Sequence, residues 1–183
     1  MQTVDRILQY LKSSPGKGLL FKRGDTMSME IYTDADYTRS VADKRSTSGY
    51  RMFLGGNFVT WRSKKQNVVT RPSAIAEFRA LAHDICEGLW LKIILDDLRI
   101  QIELPIKLFC DKSAINIAHK LVQHDKTKHI EIDKHFIKEK LDSGLIVTTH
   151  VPTRLQVVDV FTKGLPTSRF QELIGKLGMI DIH

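Results

Sequence analysis

The 183-residue sequence predicts an α/β fold, a mixed sheet covered by helices, and three observations carry that reading. Apolar residues alternate with period two between Ser28 and Trp61, and after Pro72 they switch to a helical period. A short apolar run behind Leu104-Pro105 then leads straight into another helical stretch. With 42% hydrophobic and 27% charged residues the chain suits one compact domain. Chains of this size bury roughly 70% of their unfolded surface, so the core needs neither disulfide nor metal.

The elements follow in order. Val4, Ile7, Leu8 and Leu11 recur at helical spacing until Ser13-Ser14-Pro15-Gly16 breaks the pattern, which makes a short N-terminal helix ending near Lys12. From Ser28, Met29, Ile31 and Thr33 alternate with Glu30, Tyr32 and Asp34 in a first strand. A second run, Gly49 to Leu54, stops at the turn Gly55-Gly56, and Phe58-Val59-Thr60-Trp61 completes an antiparallel meander. Ile75, Phe78, Ala82, Ile85, Leu89 and Ile93 then mark one stripe of a long helix that Ser73 can cap and that buries this stripe on the meander. Ile106 to Cys110 reads as a strand ending at Asp111, followed by a helix through Ala114, Ile117 and Ala118. A second amphipathic helix carries Ile130, Phe136, Ile137 and Leu141 and stops at Ser143-Gly144; Leu145 to Val151 is another strand, and helical segments begin near Arg154 and Thr167. Trp61 and Trp90 are expected in the core, and Cys86 and Cys110, which form no CxxC pair, as buried reduced thiols.

Charge narrows the function. Lys plus Arg number 28 against 21 Asp plus Glu, a net charge of +7. Between Tyr37 and Pro72, Arg39, Lys44, Arg45, Arg51, Arg62, Lys64, Lys65 and Arg71 face a single acid, Asp43, so the whole excess falls in about a fifth of the chain. Such concentration suits a polyanion, since neutralised phosphates release condensed counterions. The first twenty residues mix Asp5, Arg6, Lys12 and Lys17 among apolar ones, so they form neither a signal peptide nor a spanning helix, and no membrane partner is expected. A cytosolic or nuclear setting follows. His124, His129 and His135 crowd one region, but their spacings match no zinc finger and no cysteine lies near.

Four carboxylates stand out by position: Asp34 at the end of the first strand, Glu77 early in the long helix, Asp111 at the end of the fourth strand and Asp159 in a late helix. If the first and fourth strands pair in parallel, Asp34 and Asp111 become neighbours, and the helix crossing the sheet can bring Glu77 beside them. Anions so grouped need cations, and oxygen ligands without cysteine choose Mg²⁺ or Mn²⁺ over zinc. Two such ions roughly 4 Å apart could activate a water and stabilise the leaving oxygen of a phosphodiester. Spacing alone favours the alternative, that they are ordinary surface acids like most of the 21 acids here.

Ordered motifs bear on that choice. Tyr32-Thr33-Asp34-Ala35-Asp36, Lys44-Arg45-Ser46-Thr47-Ser48-Gly49-Tyr50, Trp61-Arg62-Ser63-Lys64-Lys65-Gln66, Ala76-Glu77-Phe78, Phe109-Cys110-Asp111, Thr127-Lys128-His129-Ile130 and Val158-Asp159-Val160-Phe161-Thr162-Lys163 together resemble the ribonuclease H domain that ends copia-type retrotransposon polyproteins, particularly those of plants. The resemblance runs from about Met29 to the C-terminus. Upstream, Arg6 to Lys12 and Gly16 to Leu19 resemble the tail of the preceding reverse transcriptase, which puts a remnant at residues 1–27 and the domain at 28–183. It implies a ribonuclease H-like fold with a five-stranded mixed sheet, three antiparallel strands followed by parallel ones. It also implies hydrolysis of the RNA strand of RNA-DNA hybrids by two Mg²⁺ ions, with Mn²⁺ as substitute, held by Asp34, Glu77, Asp111 and Asp159. Asp36 competes with Asp34 for the first position. Partners implied are the hybrid and the reverse transcriptase portion of the same polyprotein, in the cytoplasm within a virus-like particle, or in the nucleus.

Further positions are expected to contact nucleic acid. Arg45, Ser46, Thr47 and Ser48 could meet phosphate or a 2′-hydroxyl, or form a capped turn. Lys64 and Lys65 belong to the basic meander, and Lys120, Lys126, Lys128 and Lys134 lie where some ribonucleases H carry a basic handle; a plain charged helix surface is the alternative. His150 falls on the last predicted strand and receives no catalytic role. Lys112 directly follows Asp111 where the family pattern has one more residue, which sets an ammonium beside that carboxylate and rotates the following helix by about 100° unless the loop absorbs it. A copy altered in this way would only bind nucleic acid or dock on reverse transcriptase.

Overall fold

A computed structural model describes residues 4, 5, 8, 12, 16–24, 26–36, 46–66, 73–119, 128–152, 156–163 and 165–181. Strands β1 (Lys17–Leu19), β2 (Ser28–Asp36), β3 (Thr47–Leu54) and β4 (Asn57–Lys65) precede helix α1 (Ser73–Asp97) and strand β5 (Glu103–Cys110). Helices α2 (Lys112–His119) and α3 (Lys128–Asp142), strand β6 (Ile146–His150), helices α4 (Asp159–Thr162) and α5 (Thr167–Lys176), and strand β7 (Met179–Asp181) complete the order.

The main sheet runs β4-β3-β2-β5-β6. Its first three strands are antiparallel, while β2–β5 and β5–β6 are parallel. The β3–β4 turn places Gly55 and Gly56 at φ of 55° and 75°, a double positive-φ hairpin that glycine reaches without a Cβ penalty. In β2, Met29 and Ile31 are wholly buried and Thr33 nearly so, as the alternation requires; β5 repeats this with Ile106, Leu108 and Cys110. These residues meet Phe78, Leu81 and Ile85 of α1 and Ile137 of α3 in one core. At Gly88 a Cβ would lie 2.3 Å from Ile31 Cδ1, so the missing side chain is what lets α1 settle onto β2.

The opposite face of the sheet is covered too. Phe53, Phe58 and Leu177 bury one another, with Leu19, Tyr32, Phe161 and Met179 packed around them. β1 and β7 form a separate antiparallel ribbon, Gly18 opposite Ile180, that joins the two ends of the chain across the boundary expected at residue 27.

Several expectations are corrected. Trp61 and Trp90 are 54% and 60% exposed: Trp61 sits on the edge strand β4, stacked on Phe58 at 5.3 Å, and Trp90 lies on the outer side of α1. The stripe holds from Phe78 to Leu89, but Ile93 is exposed and Leu95 takes its place in the core, with Ile100 and Ile102 of the return to β5 packed on the same cluster. Cys86 is exposed; only Cys110 is buried. Val4, Asp5, Leu8 and Lys12 are helical, yet Val4 and Leu8 face solvent; Ile7 and Leu11 lie outside the described residues. The helix expected from Arg154, itself outside the described residues, is the single turn α4 beginning at Asp159.

Candidate active site

The site forms where the parallel strands end. Tyr32 of β2 is level with Phe109 of β5, so Asp34 and Asp111, each two residues further on, leave neighbouring strand ends on the same side. β6 continues this edge, with His150 opposite Cys110. The third carboxylate comes from the chain before α5. Gln156 is buried and its Nε2 donates to the Thr33 carbonyl of β2 at 3.0 Å; Val157 and Val158 are buried beside it, and Ser63 Oγ of β4 donates to the Phe161 carbonyl at 2.6 Å. These ties hold α4 against the sheet and direct Asp159 to Asp34.

Between the two aspartates lies the ammonium of Lys163. Its Nζ is 2.5 Å from Asp159 Oδ1 and 3.4 Å from Asp34 Oδ2, and both carboxylate side chains are more than nine-tenths buried. Burial pushes the Asp111 carboxyl up; the Asp34 charge adds to this, and Lys163 and His150 oppose it. Burial likewise raises Asp159, against the pull of Lys163. Burial works against the Lys163 ammonium, yet Asp34 and Asp159 hold its pKa above the ordinary lysine value. Glu77 stands early in α1 and its charge reaches Cys110, whose thiol is pushed up to about 12 by burial, by Asp111 and by Glu77.

Asp34 and Asp159 therefore share one cation, the Asp34 charge reaches Asp111, and the Glu77 charge reaches Cys110, the residue before Asp111. The set is all oxygen and already holds a cation, the Lys163 ammonium, so its chemistry fits a hard divalent ion. Among the described residues no three His, Cys, Asp or Glu side chains are spaced to ligate one ion as they stand. Asp36 is two pairs further along β2, its backbone opposite Thr47. Lys112 is exposed, and the basic side chains that pull the Asp111 carboxyl down are Lys163 and His150. The one sequence signal for Lys163 is its spacing of four residues, one helical turn, from Asp159; His150 is placed by the β5–β6 register, opposite Cys110.

A groove of about 300 Å³ opens between α1 and strands β3 and β4, lined by Ser48, Arg62, Lys64, Lys65, Arg79 and His83; Gly49, whose backbone pairs with Asp34, also lines it, but Asp34, Glu77, Asp111 and Asp159 do not. Arg62 bonds Glu87 Oε1 at 2.9 Å, and Tyr50 donates to Glu87 Oε2 at 3.3 Å. Of the expected contacts, Lys64 and Lys65 are exposed on this groove, while Thr47 and Ser48 are half-buried in β3. Ser46 is wholly buried and Arg51 is 3% exposed, its guanidinium 4.5 Å from the Tyr32 ring centre, so neither offers its polar head to a ligand. Arg45, Lys120 and Lys126 lie outside the described residues; Lys128 opens α3, and Lys134 is half-buried on it.

Asp84 forms part of the groove floor at 3% exposure, and its Oδ2 has no hydrogen-bond partner among the described residues. Burial raises its carboxyl well above the ordinary value of 3.8. The folded state therefore binds this proton more tightly than the unfolded state, so the contribution of Asp84 to stability is full below the ordinary value of 3.8 and declines as pH rises toward the folded value. Asp84→Asn is expected to melt with the wild type near pH 4 and to gain on it as pH rises, by on the order of 2 kcal/mol at pH 8. Melting curves across that range check it, and a pH-independent difference would refute it.

No family model matches the chain. Its fold is that of a ribonuclease H. It superposes on LC11-RNase H1, solved in complex with an RNA/DNA hybrid, with a TM-score of 0.52 at 16% identity, covering 74% of this chain and 94% of that one. The ribonuclease H1 of Halobacterium salinarum gives 0.50 at the same identity and shares. In sequence the chain is a relative of one segment of the retrovirus-related Pol polyproteins of plant transposons. It is 38% identical over 180 residues to that of transposon RE1 from Arabidopsis thaliana, which covers 98% of this chain, and 31% identical over 178 residues to that of TNT 1-94 from Nicotiana tabacum, which covers 95%. It spans only 12% and 13% of their lengths. No described helix is long and apolar enough to cross a membrane.

Proposed function

We propose that this chain is the ribonuclease H portion of a copia-type retrotransposon polyprotein and hydrolyses the RNA strand of RNA-DNA hybrids during reverse transcription. The observation that carries the reading is that Asp34 of β2 and Asp159 of α4 share the Lys163 ammonium where β2 and β5 run parallel and Asp111 follows the end of β5. With Glu77 they would hold two Mg²⁺ ions, or Mn²⁺ in their place. Bound there, the ions supply a water activated at neutral pH and charge stabilisation for the leaving oxygen of the phosphodiester. The chain's own part is to position and to bind. The strand ends fix Asp34 and Asp111, Gln156 anchors the Asp159 segment, and Arg62, Lys64, Lys65 and Arg79 face the backbone in a salt-sensitive way that is largely independent of sequence. Residues 1–27 are the tail of the reverse transcriptase that precedes the domain, and the assembly works in a cytoplasmic virus-like particle or the nucleus.

A second reading, hybrid binding without cleavage, draws on the carboxylate spacing and on Lys163 lying within the cluster. Incubation with end-labelled hybrid separates the two. Cleavage with Mg²⁺ that stops when EDTA removes the metal supports the nuclease; retention of intact hybrid under both conditions supports the binding module.

A further inference from the structure

The motif that carries Asp159 also carries a cation that none of the reactions above uses. Lys163 lies one helical turn after Asp159, and its backbone N–H donates to the Asp159 carbonyl at 2.9 Å, closing the four-residue helix α4. The side chain bends back so that its ammonium lies between the Asp159 and Asp34 carboxylates. Those carboxylates are 7% and 4% exposed, whereas the Lys163 side chain is 32% exposed. Two buried anions facing each other in a poorly solvated pocket repel strongly unless a positive charge lies between them. Lysine suits a removable counter-ion: a compact charge on a flexible stem, here with one side open to water. Tethering keeps its local concentration high, so it occupies the site whenever nothing of higher charge does.

We infer that Lys163 is a built-in counter-ion of the carboxylate cluster, holding Asp34 and Asp159 together in the ion-free protein and leaving as a divalent ion is taken up. This rests on the metal-dependent reading above and adds an internal competitor to it. Ammonium and divalent ion seek the same oxygens, so each weakens the other by the same factor. Divalent affinity is thereby lowered, and the fold survives without metal. Lys163 is a positioning residue, since it acts through the two aspartates.

Mn²⁺ titration by calorimetry, paired with melting curves in EDTA and in saturating Mn²⁺, tests this on the full chain. Lys163→Met removes the charge and keeps the bulk; Lys163→Gln repeats the measurement with a side chain that can still donate, in case the methionine variant does not fold. Both are expected to bind Mn²⁺ about tenfold more tightly than the wild type, to melt several degrees lower in EDTA and to recover most of that loss in Mn²⁺. A purely structural lysine would instead lower both melting points equally. Equal or weaker Mn²⁺ binding in the variants, beside wild-type uptake that requires Asp34, overturns the counter-ion alone. No Mn²⁺ uptake by any of the proteins, with or without hybrid, overturns the metal-dependent reading together with it.

Discussion

Asp34→Asn is expected to abolish cleavage of an RNA-DNA hybrid, lowering the rate by at least about a thousandfold, the scale of losing one preorganised electrostatic group from a site. Asp34 is the residue through which the other carboxylates are connected. Its Oδ2 shares Lys163 with Asp159, and its charge helps to raise both Asp111 and Asp159. Asparagine keeps the shape and one oxygen but removes the anion, so Asp111 and Asp159 lose a repelling neighbour while the site loses ligand charge. The protein should therefore fold, melt no lower than the wild type and still retain hybrid on a filter. Cleavage, retention and melting temperature measured on one preparation separate these effects. An Asp34→Asn protein that cuts at the wild-type rate would remove Asp34 from the site and turn attention to Asp36, two residues further along β2.

How much of this could be read beforehand depends on whether local pattern or remote packing decides a residue's place. The meander is legible because alternation in β2 and the Gly55-Gly56 turn are short-range signals, and the parallel placement of β5 beside β2 follows once Asp34 and Asp111 are seen to close their strands. The β1–β7 ribbon is not legible: its strands are three residues each, too short to show a period, and they pair across almost the whole chain. Trp61, Trp90 and Ile93 mislead because apolar character says nothing about where an edge strand or a long helix outruns the layer that would cover it. In the site, the three aspartates lie within recognisable motifs. The place of Lys163 depends on how Gln156 and Ser63 dock α4, contacts spanning 123 and 98 residues. Lys112 looks like the interfering cation because it is next in sequence, yet helix α2 carries it to solvent, and the ammonium that enters the cluster is one helical turn from Asp159.

The basic groove yields the other large effect. Replacing Lys64, Lys65 and Arg79 together by glutamine is expected to weaken hybrid binding by roughly a hundredfold at 0.1 M salt and to flatten the dependence of log affinity on log salt by about 2 to 3. Each phosphate neutralised by the wild-type protein releases close to one condensed counterion, so the slope counts the phosphate contacts that the three side chains make. Arg62 is left in place because it already bonds Glu87, which in turn accepts from Tyr50, so its removal would disturb α1 and β3 as well as the ligand. Lys64 and Lys65 are both exposed at the end of β4, where glutamine preserves strand pairing. Melting temperature should then stay within the small range usual for surface substitutions. Lys176→Gln, on a helix and paired with Glu172, serves as the comparison for a cation outside the groove and should leave the slope unchanged. The result that counts against the groove is an unaltered slope in the triple variant. The polyanion would then lie along another face, and α3 with Lys128 and Lys134 would be the next surface to neutralise.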